Sequence, residues 1–245
     1  MFYRIVIIIL SFAVVSCNTK DCFESEGAII QQEITVANFS KIKVGNEITL
    51  IIKQGTQQKV VIETGENLIN DINVEVIDDK LYMEDNNSCN LTRPYAVTKI
   101  IVTSPNITEI RSDTSRKISS DGILEYPSLR LISEDNSEDS LNIGDFDLEI
   151  SNISLSIVAN GSSIFKIKGE STNLSVGFYS GSSRFEGENL IAENVLIIQK
   201  STNDMLVNPQ QKIEGTIYNL GDVISYHQPE IIDVTQHYTG QLIFN

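Results

Sequence analysis

Apolar and polar residues alternate in short runs along residues 153–225, and the runs recur at a spacing near 20. Leu155 and Ile157 form the first, Leu174 and Val176 the second, Val195 and Ile197 the third, Ile213 and Ile217 the fourth. Small polar turns lie between them and align with one another. Asn160-Gly161-Ser162-Ser163-Ile164-Phe165 matches Ser180-Gly181-Ser182-Ser183-Arg184-Phe185, then Lys200-Ser201-Thr202-Asn203-Asp204-Met205, then Leu220-Gly221-Asp222. Three columns result: Gly161, Gly181, Ser201, Gly221; Ser162, Ser182, Thr202, Asp222; and Phe165, Phe185, Met205. A fixed period with β-type runs predicts a β-solenoid. A three-sided coil of about 20 residues stacks on its neighbour at about 4.8 Å. Like then lies on like, with Gly where φ turns positive and Phe or Met pointing inward. Evenly spaced hairpins of a β-sandwich are the alternative, but spacing alone does not produce matching columns.

The flanking segments read less regularly. Ile34-Thr35-Val36, 41–44, 48–52, 59–63, 72–76 and 80–84 alternate as a meander of short strands, with a single helical turn at 66–69. This meander is expected to cover the N-terminal end of the solenoid as early coils or a cap, because an open coil presents unpaired strand edges. Residues 98–150 bring the first clear coils, with strands at 100–102, 118–124 and 129–132. Beyond Gln228-Pro229-Glu230 the chain leaves the period, and 231–234 and 240–244 are expected as C-terminal capping strands.

The N-terminus has a different pattern. Arg4 precedes an apolar run from Ile5 to Val15 that is too short to span a bilayer, as in a secretory signal. Val14-Val15-Ser16-Cys17 resembles the lipobox of bacterial lipoproteins, which implies cleavage before Cys17 and acylation of that residue. The expected organisation is a lipoprotein signal peptide over 1–16, a lipidated tether and lead-in segment over 17–32, and one β-helical domain over 33–245. Acyl chains on Cys17 make the lipid bilayer the first expected partner, since multiple chains anchor stably. Loss of Arg4 leaves 17 basic against 33 acidic residues, a net charge of −16. That balance opposes binding to nucleic acid or to anionic membrane surfaces. Cys22 and Cys89 then remain as the other two cysteines. In an oxidising compartment two cysteines most often pair, here around 66 intervening residues, worth roughly 4 kcal/mol in the chain-entropy picture. Two buried free thiols are the alternative.

Several further segments carry a resemblance. Asp21-Cys22-Phe23 follows the lipobox, then come 39–44, Gly65-Glu66-Asn67-Leu68, Ser88-Cys89-Asn90, 102–110, Gly221-Asp222-Val223 and 238–244. Together they resemble the Bacteroidetes-type lipoproteins that carry the putative auto-transporter adhesin head GIN domain. The resemblance spans nearly the whole mature chain. It implies a right-handed parallel β-helix and placement in the cell envelope as an outer-membrane lipoprotein, periplasmic or surface-facing.

Candidate chemistry is sparse. No Gly-x-Ser-x-Gly elbow, phosphate loop or dinucleotide fingerprint occurs, and His227 and His237 have no zinc-ligand spacing to the cysteines. Glu134, Asp135, Glu138, Asp139, Asp145 and Asp147 offer hard oxygen ligands for calcium without any calcium-loop motif, so a solvated acidic turn is the plainer reading. Asp139-Ser140-Leu141 resembles the O-glycosylation acceptor of these bacteria. Asp204 and Asp222, with Lys200 nearby, are the best pair for carbohydrate-active chemistry. The expectation is a non-catalytic, adhesin-like module without catalytic residues, metal or cofactor, its ligand a glycan or a protein. A structural envelope scaffold and a carbohydrate-active β-helix enzyme are the alternatives.

Overall fold

The computed structural model describes residues 25–87, 90, 94, 97–134 and 143–245. Among these the protein is all-β, with seventeen strands in one mixed sheet and a 3-10 turn at Ile69–Asp71. The periodic region behaves as its columns require. Strands β11 (Phe146–Ala159), β12 (Ile164–Phe178), β13 (Arg184–Gln199) and β14 (Met205–Ile217) pair in parallel, each with the next. Phe146, Phe165, Phe185 and Met205 are successive register partners, and all four are fully buried. The Phe146 and Phe165 rings stack at 4.7 Å with 10° between their planes. A second inward column runs Leu155, Leu174, Val195, Ile213. The parallel stack thus buries one apolar column under each of its two faces, because each rung has only its neighbours to pack against.

One column differs from the sequence pattern. Ile217 aligns with Gln199 and Phe178, and the partner of Ile197 is Gly215. Gly215 takes φ +132°, and a Cβ there would lie 1.9 Å from the Ile197 carbonyl oxygen. The close approach of two backbones, rather than an apolar side chain, fills this position. Gln199 is fully buried in its column and bridges its own turn, donating to Asn203 O at 2.7 Å and accepting from Ser201 N–H at 3.0 Å.

Residues 226–245 do not leave the stack as expected. β15 (Val223–Ser225) pairs with β14, β16 (Ile231–Gln236) stacks in parallel on β14, and β17 (Leu242–Phe244) stacks in parallel on β15. Ile232 lies under Ile213 and Leu242 under Val223. Gly240 donates its N–H to Asn219 O at 2.9 Å. This segment is one more rung rather than a cap. Gln228-Pro229-Glu230 lies in the link between the two faces, where a missing N–H costs no ladder bond.

The N-terminal half corrects the reading in a second way. β2 (Lys41–Val44) and β3 (Thr49–Gln54) are not meander strands but a complete rung inside the stack. β2 lies between β6 (Lys80–Asp85) and β8 (Glu109–Ser112), and β3 between β7 (Lys99–Ser104) and β9 (Ile118–Leu124), all in parallel. The order of rungs in space therefore differs from their order in the chain. β10 (Ser128–Ser133) joins β8 to β11. The sheet is mixed because its N-terminal end closes with antiparallel strands. β4 (Lys59–Gly65) pairs antiparallel with β7 and with β1 (Ile29–Ile34), and β5 (Ile72–Ile77) pairs antiparallel with β6. On β4, Glu63 accepts from Lys99 Nζ at 2.8 Å and Gln31 Nε2 at 2.7 Å, and the Lys99 bond leads in holding its carboxyl below the usual range. Tyr126 is fully buried where these rungs meet. Its hydroxyl reaches Lys53 O at 3.4 Å and Ser104 O at 3.3 Å, and burial pushes its pKa far up.

Candidate functional site

One corner of the stack gathers exposed side chains of a kind that suits binding. Each rung's second face ends on an inward residue: Phe178, Gln199, Ile217, Gln236. The next residue turns outward, which stacks Tyr179, Lys200, Tyr218 and His237. Their backbone N–H groups bond upward in the same way, Lys200 to Phe178 O at 2.8 Å, Tyr218 to Gln199 O at 2.8 Å and His237 to Ile217 O at 2.9 Å. Lys200 Nζ sits 4.8 Å from the centre of the Tyr218 ring, and the His237 ring stacks on Tyr218 at 5.1 Å and 16°. Tyr179 and Tyr218 remain 45% and 43% exposed.

Beside this ladder lies a shallow groove of about 530 Å³, lined by Tyr179, Gly181, Lys200, Thr202, Tyr218 and Asn219, with Ser180 at its edge. Its floor is held by bonds between rungs. Ser180 Oγ donates to Asn160 O at 2.9 Å, and Asn219 Nδ2 donates to Lys200 O at 3.0 Å. Gly181 takes φ +78°, with the Gly161 carbonyl only 2.2 Å from where a Cβ would stand. Lys200 enters no ion pair with a described residue, whereas Lys168, Lys117 and Lys212 each hold a carboxylate. The groove thus presents two phenol rings, an amide, hydroxyls and one uncompensated cation. The sequence reading missed Tyr179, Tyr218 and His237 as a set. Their spacing near 20 was visible, but their shared outward direction depends on the register.

The other expected sites fare differently. Asp204 and Asp222 do come together, and their carboxylates serve the backbone: Asp222 N–H donates to Asp204 Oδ1 at 3.0 Å, and Gln241 N–H donates to Asp222 Oδ1 at 2.8 Å. Arg184 also faces Asp204 at 3.6 Å. Lys200 is not part of this pair, being drawn to Tyr218. His227 Nδ1 lies 2.8 Å from Pro209 O. Cys17, Cys22 and Cys89 lie outside the described residues, as do Asp135, Glu138 and the Asp139-Ser140-Leu141 segment. Of the remaining acidic residues there, Glu134 faces Arg111 at 3.6 Å, Asp147 pairs with Lys117, and Asp145 Oδ1 accepts from Ile164 N–H at 3.3 Å. Among the described residues no group of three or more His, Cys, Asp or Glu converges as a metal site would require.

Comparison with known proteins decides the family. Residues 38–229 match the family model described as "Putative auto-transporter adhesin, head GIN domain". The chain belongs to this head GIN family. Among solved structures, a putative adhesin from Bacteroides fragilis superposes with a TM-score of 0.79 at 19% identity, covering 91% of this chain and 100% of that one. A structure described as a putative lipid binding protein from Parabacteroides distasonis gives 0.62 at 17%, covering 89% and 97%. A putative adhesin from Parabacteroides merdae gives 0.52 at 13%, covering 89% and 97%. At these identities the likeness is one of fold. No curated protein matches the chain. As a head GIN protein, the chain combines the family's stacked fold with the Tyr179–His237 ladder on one corner.

Proposed function

We propose that this head GIN protein is a non-catalytic, adhesin-like module, held at the outer membrane by a lipid on Cys17, that binds an acidic glycan along the Tyr179–Lys200–Tyr218 corner. The observation that carries this reading is the unpaired Lys200 between two exposed tyrosines in an open groove. Hydroxyl-rich ligands are held by amides, hydroxyls and aromatic rings together, and a carboxylate on the sugar supplies the partner that Lys200 lacks. The family's adhesin description and the adhesin descriptions of similar structures support the direction. Asp204 and Asp222, the best acid pair in the sequence, are engaged by backbone N–H groups, which favours a structural over a catalytic use.

The test is an array of acidic and neutral glycans probed with the purified protein. Binding to uronate- or sialate-bearing glycans that falls at least ~10-fold in Lys200→Ala and in Tyr179→Ala supports the proposal. Equal binding by the wild type and both variants removes the corner from the reading, and turnover of any glycan removes the non-catalytic part. For the anchor, Cys17→Ala should release the chain from membrane pellets, and persistence in the detergent phase refutes it. The Cys22–Cys89 bridge should resist alkylation until reduction.

The coil itself we read as a right-handed, three-sided parallel β-helix. Two features support this: the stack's parallel strands recur 18 to 21 residues apart between neighbouring rungs from Phe146 onward, and parallel crossovers are nearly always right-handed. A crystal structure with left-handed coils ends that reading.

A further inference from the structure

The two ends of the stack are finished differently, and the difference points to a partner. At the N-terminal end the last strands on each face, β1 and β5, run antiparallel to their neighbours and carry charge. Glu33 on β1 pairs with Lys59 at 2.7 Å, and Glu75 on β5 accepts from Asn73 at 3.2 Å. Antiparallel reversal and charged edges are how sheets avoid adding further strands. At the C-terminal end, β16 and β17 each have one strand partner and nothing beyond it among the described residues.

The core columns surface there. Ile213 and Val223 are fully buried, while Ile232, directly beneath Ile213, is 42% exposed, and Phe244 is 38% exposed. Ile231, Ile243 and Tyr238 enlarge the apolar surface around them. In a chain with 33 acidic residues, Asp233 is the sole charged Asp, Glu, Lys or Arg from Ile231 to Asn245. The register also fixes which backbone groups are free. His237 N–H bonds to Ile217 O, so by alternation the odd-numbered residues of β16 face β14. The N–H and C=O groups of Ile232, Val234 and Gln236 therefore point away from the stack.

We propose that this end is an interface with a second copy of the same chain, joined end to end about a two-fold axis through antiparallel pairing of β16 with its equivalent. The argument for a like partner is threefold. A strand edge is complementary to itself under a two-fold axis. The end is depleted of the negative charge that elsewhere keeps copies of so acidic a protein apart. Pairing centred between Asp233 and Val234 sets each Asp233 opposite a Val234, not opposite its own equivalent, so no like charges meet directly. The joined stack then buries Ile232, Leu242 and Phe244 of both copies, which continues the core across the junction.

The test uses the protein purified as cells process it, in mild detergent, with its mass read by light scattering across a concentration series. The wild type is expected to weigh twice the chain. Val234→Pro removes an N–H that faces away from β14, so it leaves the ladder within the chain intact and is expected to give a monomer with an unchanged circular-dichroism spectrum. Ile232→Lys is expected to do the same by placing charge in the junction. A wild type that stays monomeric at ~100 μM overturns the proposal, since an exposed core end of this kind should associate well below that concentration. A dimer that survives both substitutions also overturns it, because the junction then lies elsewhere, as does a particle larger than a dimer.

Discussion

Asp222 lies directly beneath Asp204, and its own backbone N–H donates to the Asp204 carboxylate at 3.0 Å. The relationship repeats one rung further on, where Gln241 N–H donates to Asp222 Oδ1 at 2.8 Å. Two carboxylates that look like a catalytic pair are thus a staple, each tying the start of the next strand to the rung above. Asp204→Ala and Asp222→Ala should each lower unfolding stability by about 1–2 kcal/mol, and Asp→Asn should retain most of it, since an amide oxygen still accepts the bond. Denaturant unfolding of the four variants checks this.

The inward aromatic column should be the costliest place to cut. Phe165 is fully buried and packed against Phe146 and Phe178. Phe165→Ala is expected to cost about 3–5 kcal/mol, and Phe165→Leu markedly less, because the cavity left behind is smaller. Chemical denaturation with unchanged slope gives the measurement.

Gly215 should tolerate nothing larger. Its positive φ and the 1.9 Å approach of the Ile197 carbonyl leave no place for a Cβ, so Gly215→Ala should cost about 2–3 kcal/mol or prevent folding. Gly122 is the control. It also has positive φ, at +90°, but open space around the missing Cβ. Gly122→Ala should cost only the backbone strain, about 1 kcal/mol.

Tyr126 should make the fold sensitive to alkali. Its hydroxyl ionises far above the ordinary tyrosine value because it is buried. The unfolded chain releases that proton near pH 10 and the folded chain does not, so this contribution is complete below pH ~10 and lost as pH rises above it, by about 1.4 kcal/mol per unit. Tyr126→Phe should remove that share of the alkaline slope at a cost of about 1 kcal/mol at neutral pH. Thermal unfolding between pH 8 and 11 tests both halves.

The adhesin family was legible in the sequence, as were the coil period, most strand positions and the Phe165–Phe185–Met205 column. All of these are set by local alternation and by repetition, which one chain displays to anyone who aligns it with itself. Tertiary structure alone decided the rest. Asp222 was aligned with Thr202 by letter, but the turn before β15 is shorter than those before it. Met205 therefore pairs with Val223, and Asp222 falls under Asp204. Tyr179, Lys200, Tyr218 and His237 became a site only once register set their common direction. The place of β2 and β3 in the middle of the stack was hidden for a related reason. Their partners lie 39 to 68 residues away, and hydrogen-bonding between such distant strands leaves no local pattern for the sequence to show. The last rung was hidden by its exposure. An apolar core position looks the same in sequence whether or not another rung lies beneath it, and only the fold shows that Ile232 is covered on one side.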